Sequence, residues 1–383
     1  MAESESAFRA RLGAFLDAHP PGPPPRGSRQ ERAGWQKAWA ATLYDNGFAG
    51  PHWPVAYGGM DLPFDLQVCY HDEMSRRRVP PFPGNGPGIC GPTLIRYGSD
   101  DQRARFLPAM LRGDEVWAQG FSEPGAGSDL PSLQTRAERH GGEYVVTGGK
   151  IWSSHADIAD FTFALVRTGA ADSRERGISY LLIDLRSPGV SVRPTRDMSG
   201  DSQFSEITFD EVRVPVANRV GEENGGWRIA RTALGHERAA RTLVNAAEYR
   251  RRLDAVLGHV RENGPVDPWM RDRLARVYVR VRILWLNAVR TVERIQTTGE
   301  AGASSSVARL YQSLLEQELY DVAVDLAGPA GLLPGTDRGA WAKGLLRTRA
   351  ATIGAGTAEI QRNTIAEQVL GLPRDAPRKE PRP

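Results

Sequence analysis

Gln119-Gly120-Phe121-Ser122-Glu123-Pro124-Gly125-Ala126-Gly127-Ser128-Asp129 is the stretch on which the architecture turns. Before it, apolar residues recur at three and four; after it, they alternate. Helical patterns cover residues 4–18, 29–47, 65–77, 87–97 and 100–112, with Ser99 or Asp100 placed to cap the last. Pro20 to Gly27 reads as an extended loop. Between Trp117 and Gly221, runs such as Tyr144-Val145-Val146, Phe161 to Val166, Ile178 to Ile183, Val190 to Val192 and Ile207 to Phe209 are strand signals. About seven such strands in ~100 residues predict a small barrel or sandwich. From Gly225 the helical period returns. Leu274, Val277, Val281, Leu284 and Ala288 form one stripe; Val307, Leu310, Leu314, the Leu319/Val322 pair and Leu326 form another. Both argue for a bundle. Helices, then strands, then helices, without βαβ alternation, exclude a doubly wound dinucleotide fold. The chain therefore reads as mostly α with a central β domain. The predicted parts are an N-terminal helical domain (1–116), a small β-barrel or sandwich (117–222), a C-terminal four-helix bundle (223–374) and a disordered tail (375–383).

Composition narrows the function. Of 383 residues, 40% are hydrophobic and 25% charged, a soluble globular balance. No run of ~18 apolar residues predicts a spanning helix, and the acidic N-terminus does not read as a secretory signal. Net charge is only +3. Lysine occurs four times, at Lys37, Lys150, Lys343 and Lys379, so nearly all the basic residues are Arg. No basic stripe interleaved with stacking aromatics suggests nucleic-acid or membrane binding. Cys69 and Cys90 have neither metal spacing nor a disulfide framework, and no His pair stands at ligand spacing, so no metal is expected. A reducing cytoplasm fits this cysteine usage.

Two further motifs follow the opening stretch: Lys150-Ile151-Trp152-Ser153-Ser154, and Gly356-Thr357-Ala358-Glu359-Ile360-Gln361-Arg362. The Gly-rich turn lets backbone approach a planar ring or a phosphate. The Thr357 hydroxyl at the opening of a helix, predicted over Ala358 to Leu370, suits an anionic or polar ligand. Trp152 taken alone reads as a core aromatic. In this order the three motifs resemble the acyl-CoA dehydrogenase family, flavoenzymes that oxidise acyl thioesters, from about Gly34 to Arg374. The resemblance implies FAD as cofactor, with Gln119, Phe121 and Ser122 along the isoalloxazine, Gly127 in the approach turn, and Ser128 at the pyrophosphate or the thioester. It implies Trp152 packed on the flavin, with Ser153 next to it and Ser154 at the ring's N5, where Thr is common. Thr357 and Glu359 fall at the adenosine end, often completed across a subunit interface.

One departure concerns the base. Many members carry a glutamate immediately before the late Gly-Thr pair; here the residue is Ala355. The isovaleryl and long-chain enzymes place it instead just before an Arg on an earlier helix. The corresponding segment is Thr232-Ala233-Leu234-Gly235-His236-Glu237-Arg238, which implies Glu237 as base and Arg238 as a helix anchor or contact to the CoA arm. The Ala355 amide, with a flavin hydroxyl, would hold the thioester carbonyl. The implied reaction makes a trans-2-enoyl thioester: Glu237 takes the α proton, hydride passes to flavin N5, and electrons go to an electron-transfer flavoprotein. The substrate would be an acyl-CoA or acyl-carrier-protein thioester, branched or bulky by analogy, and the assembly a homo- or hetero-oligomer. Two segments depart from the family's adenosine site: Asp325-Leu326-Ala327-Gly328-Pro329-Ala330-Gly331, and Arg261-Glu262-Asn263-Gly264-Pro265. They keep open a partner subunit of a heteromeric enzyme. A same-fold flavin monooxygenase or oxidase is the other alternative.

Overall fold

The computed structural model describes residues 3–298, 302–333 and 339–374, without the side chains of 235–242, 292, 295, 296, 304 and 339. The tail expected to be disordered, 375–383, lies outside the described residues. The chain divides into two compact units, one ending at Arg251 and the other beginning at Arg252.

The first unit opens with α1 (Glu5–Ala18), α2 (Arg29–Asp45), α3 (Phe64–Arg76), α4 (Gly91–Tyr97) and α5 (Asp100–Arg112). Local chemistry sets their starts. Ser28 and Glu31 form a capping box on α2, and Ser99 and Gln102 form one on α5, so Ser99 rather than Asp100 is the cap. The stretch expected to be helical from residue 87 begins as a π-helical turn, Gly86–Cys90, before α4. Phe8, Leu12, Leu16, Trp39 and Leu43 are buried between these helices, and Phe15 stacks on Phe48 at 4.3 Å.

Eight strands follow: β1 (Trp117–Gly120), β2 (Arg136–His140), β3 (Glu143–Ser154), β4 (Phe161–Arg167), β5 (Ile178–Asp184), β6 (Val190–Thr195), β7 (Phe204–Pro215) and β8 (Arg219–Val220). They form one sheet ordered β6-β7-β3-β2-β4-β5-β8, with β1 parallel to β4. All of β4 is buried. Its period of two sends Phe161, Phe163 and Leu165 into the core shared with the helices, and Ala164 and Val166 into a second core with Tyr144, Val146, Ile207 and Phe209. Helix α6 (Gly226–Asn263) starts after this layer.

The second unit contains α7 (Pro268–Thr298), α8 (Ser304–Ala327), α9 (Gly339–Thr348) and α10 (Ala358–Thr364). The stripe Leu274, Val277, Val281, Leu284 and Ala288 is buried as expected. On α8 the Leu319/Val322 pair of the expected stripe is buried, but Val307 and Leu314 are exposed and their neighbours Ala308 and Leu315 are buried instead. At those two positions the covered side is shifted by one residue, because on an apolar-rich helix the packing partner, not hydropathy alone, selects which side is covered. The pairs Arg280–Glu318 and Arg273–Asp325 tie α7 to α8, the latter at 2.5 Å. The last helix, expected to reach Leu370, ends as α at Thr364 and continues as a π-helical turn, Ile365–Val369.

Candidate active site

In the first unit, the Gly-rich turn is anchored to β3 by one buried charge pair. Lys150 Nζ lies 2.6 Å from Glu123 Oε1 and donates to the Phe121 carbonyl at 3.3 Å. Glu123 also accepts the Gln134 amide at 2.6 Å and the Thr135 amide at 3.0 Å. Burial opposes both charges. For Glu123, attraction to Lys150 and the hydrogen bonds outweigh it, and its pKa lies below the usual carboxylate range. For Lys150, burial outweighs the attraction and brings the pKa down to about 8. Glu123, holding two backbone amides, is ionised at neutral pH. Its network joins the turn, the approach to β2 and β3 into one piece.

The turn itself is closed by reciprocal bonds between Glu123 and Ala126, each 3.0 Å. Arg167 donates to the carbonyls of Pro131 and Leu133, at 2.7 and 3.1 Å, and holds the segment that follows. Gly125 and Gly127 face open space, so backbone is accessible there without side-chain cover. Ser128 is exposed, and Asp129 pairs with Arg174 at 2.6 Å. A groove of about 480 Å³ opens beside the charge pair, lined by Gly125, Gln134, Gly148, Gly149 and Thr208.

Strand β3 then presents Trp152. The pairing of β3 with β7 shifts register between Lys150 and Ser153, and Trp152 takes φ 60°. A bulge re-aims the side chain it contains. Trp152 is 57% exposed, touching Phe204 edge-on at 5.8 Å. It is not the core aromatic that its isolated reading suggests. The Ile151 amide donates to the Ser122 carbonyl at 2.9 Å, so this bulge and the Gly-rich turn lie side by side. Gln119, Ser122 and Ser154 are half-buried. Phe121 packs its ring against Phe163 and Tyr180, and Ser153 buries its hydroxyl in register with Ser205. From these two residues, only main chain is available to a ligand.

In the second unit, Ala355 holds φ 55° and Gly356 φ 86°. Gln361, buried, donates to the carbonyls of Ala355 and Gly356 at 3.2 and 3.3 Å. Thr357 accepts the Ile360 amide at 3.2 Å, leaving its O–H to donate elsewhere. Glu359 is exposed and pairs with Arg362 at 3.2 Å. Asp325 is committed to Arg273. Glu237 and Arg238 lie on α6, but their side chains are outside the described residues.

Three residue groups thus emerge: a clamped Gly-rich turn beside an outward aromatic, a strained Ala-Gly turn, and the α6 segment carrying Glu237. The clamp, Lys150 and Glu123, is what sequence reasoning missed as a functional support. Its signal was legible: one of only four lysines stands at an inward-facing strand position after two glycines. Among the described residues no three His, Cys, Asp or Glu side chains gather as a metal site, and no helix is long and apolar enough to cross a membrane.

The acyl-CoA dehydrogenase N-terminal, middle and C-terminal domain profiles match residues 2–114, 118–212 and 224–370. The chain is 37% identical over 344 residues to the acyl-CoA dehydrogenase IpdE1 of Mycobacterium tuberculosis, covering 89% of each. It is similar to the solved Tcur3481-Tcur3483 steroid ACAD, with TM-score 0.86, 31% identity, and 98% and 99% of the chains covered. It is also similar to the ChsE4-ChsE5 complex of Mycobacterium tuberculosis, with TM-score 0.83, 31% identity, and 98% and 100% covered.

Proposed function

Because this chain belongs to the acyl-CoA dehydrogenase family of flavoprotein oxidoreductases, we propose that it binds FAD and converts a bulky acyl thioester to the trans-2-enoyl thioester, with Glu237 as base. The observation that carries the cofactor reading is Trp152, a large aromatic face held out of the core by a bulge beside a turn of bare glycine backbone. Such a surface fits a planar ring with polar edges. Gln119, Phe121 (by main chain), Ser122, Trp152, Ser153 (by main chain) and Ser154 would hold the ring. Gly127 and Ser128 would take its phosphate side, and Thr357 and Glu359 the adenosine end. When bound, the flavin supplies the two-electron acceptor.

The chain's own residues supply the rest. Glu237 removes the proton α to the carbonyl, which a carboxylate can do once desolvation raises its pKa. The Ala355 amide holds the thioester oxygen and acidifies that proton, a task needing only main chain. Arg238 anchors the α6 segment or meets the CoA arm. With a methyl where many relatives carry a glutamate, Ala355 leaves room for a branched or polycyclic acyl group. The similar Tcur3481-Tcur3483 steroid ACAD supports a steroid-side-chain thioester, carried by CoA or by an acyl-carrier protein. An electron-transfer flavoprotein is the proposed acceptor partner.

A heteromeric assembly is favoured by one observation. Asp325, in the segment that departs from the family's adenosine site, is committed to Arg273 rather than left open to a ligand. A partner subunit would then supply the missing contacts, and the two similar complexes are each named for two chains. The decisive experiment is anaerobic mixing with branched and steroid-side-chain acyl-CoA esters. Wild type bleaches; Glu237→Gln retains FAD but bleaches at least ~10³-fold more slowly, the upper range for losing a general base. Bleaching at the wild-type rate refutes Glu237.

A further inference from the structure

The turn that carries Ala355 is held by side chains from two helices of the second unit. Arg309, half-buried on α8, donates from one nitrogen to the carbonyls of Ala351 and Gly354, each at 2.8 Å. Gln361, buried on α10, takes the next two carbonyls, those of Ala355 and Gly356. A Cβ on Gly356 would stand 2.5 Å from the Gln361 amide nitrogen, so only glycine lets that side chain reach across. Gln317, also on α8, braces the preceding stretch through the Thr348 carbonyl and the Thr352 hydroxyl. These peptide bonds are trans. In a trans peptide the N–H points away from its own C=O. With the carbonyls of Gly354, Ala355 and Gly356 turned toward Arg309 and Gln361, the amides of Ala355, Gly356 and Thr357 are directed away from them. None of the three amides donates to another described residue, and the main chain of 354–356 is exposed.

The three peptides are not equivalent. The Gly354 carbonyl and the Ala355 N–H belong to one peptide group, and that group is the one bonded to a guanidinium, which stays charged at any working pH. The next two receive only a neutral carboxamide. A charge-assisted bond at the carbonyl oxygen draws electron density from the peptide nitrogen and makes its N–H a stronger donor. Hydrogen bonds linked in this way strengthen one another by ~10–30%.

We propose that Arg309 is a positioning residue for the dehydrogenation: through the Gly354 carbonyl it aims and polarises the Ala355 amide, which meets the thioester oxygen as charge collects there. This rests on the thioester reading above. A donor to a developing oxyanion is worth ~10²–10³ in rate, so weakening it by ~10–30% lowers kcat about two- to eightfold. KM changes little, because the charge develops after binding.

The test uses the holoenzyme and the trans-2-enoyl-CoA product, carrying carbon-13 at the carbonyl, of whichever ester bleaches the wild type. Isotope-edited infrared spectroscopy reads the carbonyl stretch of the bound product, which falls as its oxygen accepts stronger hydrogen bonds. Arg309→Met should lose ~10–30% of the wild-type downshift and lower kcat by the factor above, with FAD content and KM kept. Arg309→Lys, a charged donor on a stem of similar reach, should recover most of both. A side chain that only braced the turn would move Tm and leave the bound carbonyl unchanged. Three results overturn the proposal: a full downshift in R309M, a rise in KM without loss of kcat, or an R309K variant no better than R309M. So does a wild type that bleaches yet leaves the carbonyl stretch at its value in the free thioester. Failure of the enzymatic reading looks different. Wild-type bleaching in Glu237→Gln refutes the base and leaves the infrared result standing, whereas absence of bleaching with every ester removes both.

Discussion

Replacing Glu123 by Gln removes the charge that keeps Lys150 paired in the interior. The lysine side chain is fully buried, and its other neighbour is the Phe121 carbonyl at 3.3 Å. Breaking one side of a buried pair costs ~3–5 kcal/mol, because the remaining ion is uncompensated. At ~2–4 °C per kcal/mol for a cooperative unit of this size, Tm should fall by about 6–20 °C. Lys150→Met should cost less, since Glu123 keeps the Gln134 and Thr135 amides. The double variant E123Q/K150M should then be clearly less destabilised than the sum of the singles. Acid has a defined effect. Glu123 has a folded-state pKa below its ordinary value of 4.5, so its contribution is complete above that value and is lost as pH falls through the lower, folded one. The Tm gap between wild type and E123Q should narrow below pH 4.5. Thermal unfolding monitored by circular dichroism at several pH values measures all of this. Additive single losses, or an E123Q loss under ~1 kcal/mol at neutral pH, would show that the pair does not clamp the turn.

Further outcomes concern the ligand surfaces. Trp152→Ala should leave stability within ~0.5 kcal/mol, as for other exposed side chains, yet weaken FAD retention about tenfold through loss of an aromatic contact; equilibrium dialysis of apoprotein measures it. Ala355→Gly should raise Tm slightly, because a left-handed alanine costs ~1–2 kcal/mol and glycine relieves it at some cost in unfolded-chain entropy. A fall in Tm there would mean that the methyl itself packs. Ser99→Ala removes the capping box of α5 and should cost ~1 kcal/mol by urea titration, with flavin content unchanged.

The order of layers was readable from the chain because it depends on short-range physics. Periods of 3.6 and 2, the cap at Ser99, and the buried row on α7 are properties of neighbours in sequence. The three motifs likewise named the candidate ligand residues. Tertiary structure alone decided how each of them is used. Trp152 faces outward because β7 forces a bulge into β3, and no local propensity encodes that register. Ser153 turns inward because strand alternation resumes after the bulge, and Phe121, just past β1, turns inward because its ring packs against Phe163 and Tyr180. On α8 the covered side follows the α7 partner, so Leu315 is inside and Leu314 outside. Lys150 became a clamp only when folding set Glu123 beside it, across 27 residues of chain. Local rules select elements; the low dielectric and close packing of the assembled core select which side chains remain available for chemistry.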